Sequence, residues 1–222
     1  MQSISKRNTL LRSLTESVFD PHATDFWLQK INPIWSTHRA LAKIVRKENV
    51  AADTVSLTLE PNRHVNLGQP GQHHPVRVKV QGRLYERNYS LTERDNTLVL
   101  TVKKVADGIV SRWLAEDSQV GQVIELGQPF GDMLIPAQSR VVMLAAGSGI
   151  TPMLSLIEGM QVKSQLQHTP VDLMYWVKRH EDAAFLNVFE ALAAQYPLFK
   201  FHVFYTQDQE HDSRLNVTHL AA

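Results

Sequence analysis

The sequence predicts two domains of opposite type: an antiparallel β-barrel or sandwich, then a parallel, doubly wound α/β sheet. Three observations carry this. Apolar and polar residues alternate through several short segments between Thr54 and Leu126, the period of half-buried strands. The run Val141-Val142-Met143-Leu144-Ala145 is continuously apolar instead, as in a strand covered on both faces. Between that run and an apolar helical stripe lies Ala146-Gly147-Ser148-Gly149-Ile150-Thr151-Pro152. Such a glycine turn brings backbone N–H groups to an anion at a helix N-terminus.

The bulk numbers exclude more than they select. A chain of 222 residues has room for one large core or two modest ones. A formal net charge of +1 lacks the basic excess of a nucleic-acid binder. No apolar stretch approaches the roughly 18 residues that a membrane span needs. Cysteine is absent, so this chain holds no disulfide, thiolate zinc site, catalytic thiol or cysteine-ligated iron–sulfur cluster. That composition fits a reducing, cytoplasmic setting.

Residues 1–36 read as a helical arm of short pieces ending at Asn32-Pro33. Phe19, Phe26, Trp27, Ile31 and Trp35 give it an apolar side. That side is expected to pack against the main body; a membrane-surface or partner-docking role is the alternative. The basic start, Met1 to Leu14, lacks the apolar core of a secretory signal.

From Thr37 the period is two. Val55, Leu57 and Leu59 alternate with Thr54, Ser56 and Thr58, and Val76, Val78 and Val80 with Arg77 and Lys79. Gln81-Gly82 makes a tight turn into Arg83-Leu84-Tyr85, and Asp95-Asn96 another before Leu98, Leu100 and Val102. A short helix is expected around Ile109 to Ala115, and a strand at Gln122 to Leu126. After Pro136 come the strand at Val141, a helix with Ile150, Met153, Leu154, Ile157 and Met160 on one side, and a strand from Val171 to Val177. A helix carrying Phe185, Phe189 and Leu192 and a strand from Phe199 to Tyr205 complete a parallel set. Arg214 to Ala222 reads as the start of a helix with no strand after it.

Four groups of residues offer chemistry. In the glycine loop, Pro152 takes the place of the third glycine of a dinucleotide fingerprint, and proline suits a first helical turn. Alone, the loop reads equally as a plain strand-to-helix turn. Lys178-Arg179-His180 ends the second parallel strand, where basic residues favour a 2′-phosphate and an acid would favour ribose hydroxyls. This leans toward NADPH over NADH, with a solvated basic loop as the bland reading; Arg214 is a further phosphate candidate. Arg87-Asn88-Tyr89-Ser90 offers a guanidinium, an aromatic face and a hydroxyl. On a regular strand Arg87 and Tyr89 share one face and Ser90 takes the other, unless the strand bends. Gly108 and Ser111 open the short helix, another anion-binding terminus. His73 and His74, being adjacent, point to opposite faces and cannot chelate one metal.

In order, Gly71-Gln72 in the third strand, Arg87-x-Tyr89-Ser90, Gly108-x-x-Ser111, Pro129-x-Gly131 and Gly147 to Pro152 resemble the motifs of the ferredoxin–NADP(+) reductase-like flavoproteins. The resemblance spans roughly residues 37 to 215. The arm, with Pro33-Ile34-Trp35-Ser36, resembles bacterial members that pass electrons to fatty-acid desaturases. The resemblance implies an arm at 1–36, a flavin-binding antiparallel β-barrel at 37–137, and a Rossmann-like NAD(P)-binding domain at 138–222, incomplete at its C-terminus. It implies FAD ahead of FMN, NADPH or NADH as substrate, and electron delivery to an iron–sulfur protein or ferredoxin domain that serves a membrane desaturase.

By the same resemblance Arg87 holds the flavin phosphate, Tyr89 lies against the isoalloxazine and Ser90 near its reactive N5; these last two are the catalytic candidates. Gly108, Ile109, Val110 and Ser111 take the flavin phosphates. Gly147, Ser148, Gly149, Ile150, Thr151 and Pro152 receive the nicotinamide dinucleotide, with Thr151 close to the nicotinamide and Lys178 and Arg179 at its phosphate. A cytoplasmic location, peripheral to a membrane at most, goes with this role. Relatives continue with a Cys-Gly-Pro strand and a 2Fe–2S ferredoxin domain. The natural protein is therefore expected to run past Ala222, the alternative being a truncated, non-catalytic flavin-binding or regulatory relative.

Overall fold

The computed structural model describes residues 20–135 and 140–207. The expectations for Phe19, for the domain boundary at residue 137 and for Arg214 onward lie outside the described residues. Helix α1 (Pro21–Ile31) opens with proline at its first position, where the missing N–H costs nothing, and ends before Asn32-Pro33 as expected. Six strands follow: β1 (Leu41–Ala51), β2 (Thr54–Pro61), β3 (His73–Val80), β4 (Arg83–Arg94), β5 (Thr97–Lys103) and β6 (Val123–Leu126). They close into an antiparallel barrel in the order β1-β2-β5-β4-β3-β6. Ile44, Leu57, Leu98, Leu100 and Ile124 fill its interior. Both expected two-residue turns occur, with positive φ at Gln81 and Gly82 and again at Asp95 and Asn96, the geometry that matches strand twist.

Alternation fails to delimit β1 for a physical reason. Its pairing with β2 slips between Ile44 and Arg46 and again between Asn49 and Ala51, and each bulge interrupts the period of two. Gly71-Gln72 precedes the third strand, which starts at His73, rather than lying in it. Helix α2 (Ile109–Arg112) runs on as a wider π turn to Asp117, two residues past its expected end.

The second domain holds β7 (Val141–Ala146), α3 (Ile150–Val162), β8 (Val171–Val177), α4 (Leu186–Gln195) and β9 (Phe199–Tyr205). Its strands are parallel, in the order β7-β8-β9. Phe185 is the residue before α4 rather than part of it, and has φ +65°. Both helices pack into one cluster with Met143, Leu173, Tyr175 and Phe199, on one face of the sheet. Strand β8 is buried throughout, but β7 departs from the expectation of two covered faces. Among the described residues it pairs with β8 alone, so Val142 and Leu144 of its second face stand 50% and 41% exposed.

The two domains meet where the barrel is imperfect. From Arg83 to Ser90, β4 pairs with β3; from Leu91 to Arg94 it pairs with β5. The switch leaves an unpaired backbone edge on each side of β4. Helix α3 covers one of them. Ser155, 3% exposed, donates from Oγ to Leu91 O at 3.1 Å and accepts from Gly71 N at 3.3 Å. Gly71 has φ +89°, and a Cβ there would fall 2.2 Å from Met133 O and 2.8 Å from Leu156 Cδ2, so only glycine fits. Arg94 donates through both arms of its guanidinium to Glu158 on the same helix. Farther along, Lys103 meets Asp182 at 2.7 Å, and Ala52 N donates to Glu181 O at 2.6 Å.

Ser155→Ala strips two buried backbone groups of their partner at this seam. The expected cost is about 1–3 kcal/mol, from the desolvation of groups left unsatisfied. Urea unfolding monitored by fluorescence measures it; an unchanged midpoint would mean the seam does not depend on this hydroxyl.

Candidate functional site

The other unpaired edge of β4 opens a cleft of about 510 Å³ between the domains. Strand β4 contributes Arg87, Asn88, Tyr89 and Ser90; the start of α2 contributes Gly108, Ile109, Val110 and Ser111; the second domain contributes Ser148, Gly149, Thr151 and Pro152. Tyr89 and Ser90 both line it, although alternation alone puts them on opposite faces. Both sit where β4 changes partner from β3 to β5.

Each lining group has a distinct state. Burial pushes the Tyr89 phenol up to about 12, against a smaller downward pull from the Arg87 guanidinium. It stays neutral at physiological pH and can donate a hydrogen bond. Arg87 is exposed and gives one bond to Glu86 O at 2.7 Å. It pairs with no carboxylate among the described residues, so its charge faces the cleft uncompensated. Ser90 is 8% exposed. The first N–H groups of α2 have no side-chain cap and are the donors a helix start leaves unused. The Ser111 hydroxyl is instead engaged within its own loop, accepting from Val105 N at 3.2 Å and donating to Gly108 O at 3.4 Å.

On the second domain the loop Gly147–Gly149 forms a tight 3-10 turn into α3. Gly147 has φ +51°, and a Cβ built on Gly147 or Gly149 would meet nothing within 4 Å. The backbone at both glycines therefore faces open space. Thr151 Oγ1 donates to Ser148 O at 3.1 Å, fixing the turn. Gly147 and Ile150 line a smaller adjoining hollow rather than the cleft, and Ile150 is buried in the core.

Lys178 and Arg179 lie outside the cleft, exposed beyond the C-terminal end of β8, the edge at which parallel sheets bind ligands. Arg179 donates to Gln207 at 3.1 Å and stands 3.6 Å from Glu181. The Lys103 hydrogen bond holds the Asp182 carboxyl below its usual value, against a smaller rise from burial. That acid is thus already engaged by the barrel.

Sequence reasoning missed Thr101, Lys103 and Val105, which also line the cleft, and gave no binding role to His73 or to Asn88 of the Arg87 cluster. The opposite facing of His73 and His74 holds. His73 turns to the cleft, 6.0 Å from the Phe130 ring between centroids, while His74 is 1% exposed and its Nε2 lies 3.0 Å from Asn66 O. Only the register of β3 against β4, with His73 opposite Ser90, identifies which histidine faces the site. Thr101 and Lys103 belong to the stretch of β5 past its pairing with β4, which alternation cannot mark.

Comparison with known proteins agrees with this division. Residues 41–134 match the family model "Oxidoreductase FAD-binding domain" and residues 143–220 "Oxidoreductase NAD-binding domain". An NADPH oxidoreductase of Mycobacterium tuberculosis is 28% identical over 219 residues, covering 95% of this chain and 56% of the relative. The flavohem-like FAD/NAD binding domain of nitric oxide dioxygenase from Vibrio cholerae superposes with a TM-score of 0.70 at 26% identity, covering 81% of this chain and 80% of that one. A ferredoxin NADP+ reductase from Neisseria gonorrhoeae with bound FAD and NADP shares the fold, with a TM-score of 0.68 at 23% identity, covering 82% and 74%. The chain spans about half the length of the curated relatives it matches.

The Lys103–Asp182 contact gives the seam a pH dependence. Asp182 has a depressed folded-state pKa, so its stabilisation is full above the ordinary carboxyl value of 3.8 and is lost as pH falls through the depressed one. Lys103→Met should cost up to about 1 kcal/mol at pH 7, since both groups are partly exposed. The gap to the unmodified protein should close toward pH 2 in unfolding titrations; a gap independent of pH would discount the pair.

Proposed function

The chain belongs to the ferredoxin reductase-like flavoproteins, with an FAD-binding barrel and an NAD-binding α/β domain, and on that premise we propose that it carries electrons from NADPH through FAD to an iron–sulfur acceptor. The observation that carries this reading is one cleft, lined from both domains by the Arg87 cluster, the start of α2 and the glycine loop. We assign 37–137 to the flavin domain and 138–222 to the nicotinamide domain.

The chain's own groups fit an FAD and a nicotinamide dinucleotide. The uncompensated Arg87 guanidinium binds the flavin phosphates, helped by the uncapped amides of Ile109 and Val110, while Gly108, whose own amide donates to Val105 O, lets the loop approach them. Ser111 holds that loop in shape through its bonds to Val105 and Gly108. The neutral Tyr89 lies against the ring system, and Ser90 supplies a hydroxyl at the reacting edge. Gly147 to Pro152 receive the second nucleotide over the open face of their turn. The flavin, when bound, supplies a centre that takes two electrons together and gives them up singly, so no acid–base triad is required.

Lys178 and Arg179 favour NADPH: they stand exposed at the C-terminal end of β8, and the nearby Asp182 is taken by Lys103. A ferredoxin or ferredoxin domain as acceptor, the service of a membrane desaturase, and a cytoplasmic place beside the membrane rest on the motif and arm resemblances in the sequence.

The purified protein should take up FAD, and anaerobic NADPH should bleach the flavin absorbance. A protein that binds no flavin rejects the reading, and uptake without bleaching leaves a flavin-binding relative that does not transfer electrons. Arg87→Ala removes charge-assisted bonds worth roughly 1.5–3 kcal/mol, so FAD affinity should fall by about tenfold or more. Lys178→Ala with Arg179→Ala should raise KM for NADPH and leave KM for NADH unchanged; equal effects on both would remove the phosphate assignment.

A further inference from the structure

Helix α1 is inside out. Toward the body it presents Asp25, 5% exposed, with Leu28 and Gln29 half-buried. The Asp25 carboxylate accepts from Ser36 Oγ at 2.5 Å, Thr37 N at 2.7 Å and Thr37 Oγ1 at 2.8 Å, which tethers the helix to the following segment. Toward solvent it presents Phe26, Trp27 and Ile31, 56%, 69% and 74% exposed, with Trp35 just beyond at 46%. The expected packing of these residues against the main body is therefore overturned: a polar, hydrogen-bonded face already anchors the helix. An amphipathic helix in a monomer turns its apolar stripe inward, and a contiguous exposed patch of large apolar side chains marks a docking surface.

We infer that this outward face of α1, with Trp35, docks onto an anionic lipid surface. Three observations favour lipid. The patch is aromatic and aliphatic with a cation embedded in it: Phe26 and Trp27 meet edge to face at 5.4 Å, and Lys30 Nζ lies 5.3 Å from the Phe26 centroid. Trp and Phe beside a lysine are the composition that settles at the bilayer interface. The charge beside its apolar face is cationic. Past Asp20, which precedes the helix, the sole carboxylate up to Arg39 is the buried Asp25, whereas Lys30 is exposed and Arg63 shares a hollow with Trp35. Cations set among exposed aromatic side chains complement anionic headgroups. Finally, α1 has 11 residues, about 16 Å of helix, too short to cross a bilayer and suited to lying in its plane. The inference does not rest on the flavin reading.

The test uses the full chain with vesicles of phosphatidylglycerol and phosphatidylcholine, against vesicles of phosphatidylcholine alone, in a flotation assay. The protein should partition at least tenfold more onto the anionic vesicles. Trp27→Glu with Ile31→Glu should lower that partition at least tenfold, and Lys30→Glu with Arg63→Glu should abolish the preference for anionic lipid. All four side chains lie at the surface, so circular dichroism and FAD uptake should not change. Absence of vesicle binding, equal binding to both vesicle types, or binding that survives Trp27→Glu with Ile31→Glu overturns the inference. So does a dimer that the same pair of changes dissolves, which would give the face to a second copy.

Discussion

Strand β4 cannot satisfy both neighbours along its whole length, and the architecture follows from how it divides itself. It serves β3 up to Ser90 and β5 from Leu91. A closed barrel is thereby obtained with two short stretches of unpaired backbone. Unpaired peptide groups away from water must find other partners, and the two stretches find different ones. Beside Leu91 the partner is a serine from the neighbouring domain. Beside Asn88 to Ser90 the edge is left to a ligand cleft. One irregularity in pairing thus yields both the fastening between the domains and the opening they share.

The site's chemistry is economical because the environment sets the state of each group. Burial keeps Tyr89 a neutral donor, and Arg87 meets no carboxylate among the described residues, bonding only a backbone carbonyl. The Asp182 carboxylate, close after the C-terminal end of β8, is drawn into holding the barrel through Lys103. Residues that shape the loops, such as Ser111 and Thr151, spend their hydroxyls on neighbouring backbone. A division of labour results between groups that hold the walls and groups left free to bind.

Much of this was legible in the sequence where local periodicity decides. The paired turns at Gln81-Gly82 and Asp95-Asn96, the apolar run at Val141 and the glycine turn each carry their geometry in a few adjacent residues. What was hidden depends on register or on distant partners. Strand β1 hides behind two bulges. That His73 rather than His74 faces the cleft is fixed by pairing with β4. The exposed face of β7 follows from its place at the edge of the described sheet. The arm inverted its reading outright: a stripe of Phe and Trp is read as core by default, and only the bonds from Ser36 and Thr37 to Asp25 reveal which face is anchored.

Helix α3 begins at the glycine turn and carries Ser155 against the barrel, so six residues, about 9 Å of rigid helix, separate the nucleotide loop from the seam. The distance between the two halves of the cleft is therefore gauged by a strut inside the second domain. A change in helix length between Ile150 and Ser155 would shift one wall of the cleft against the other.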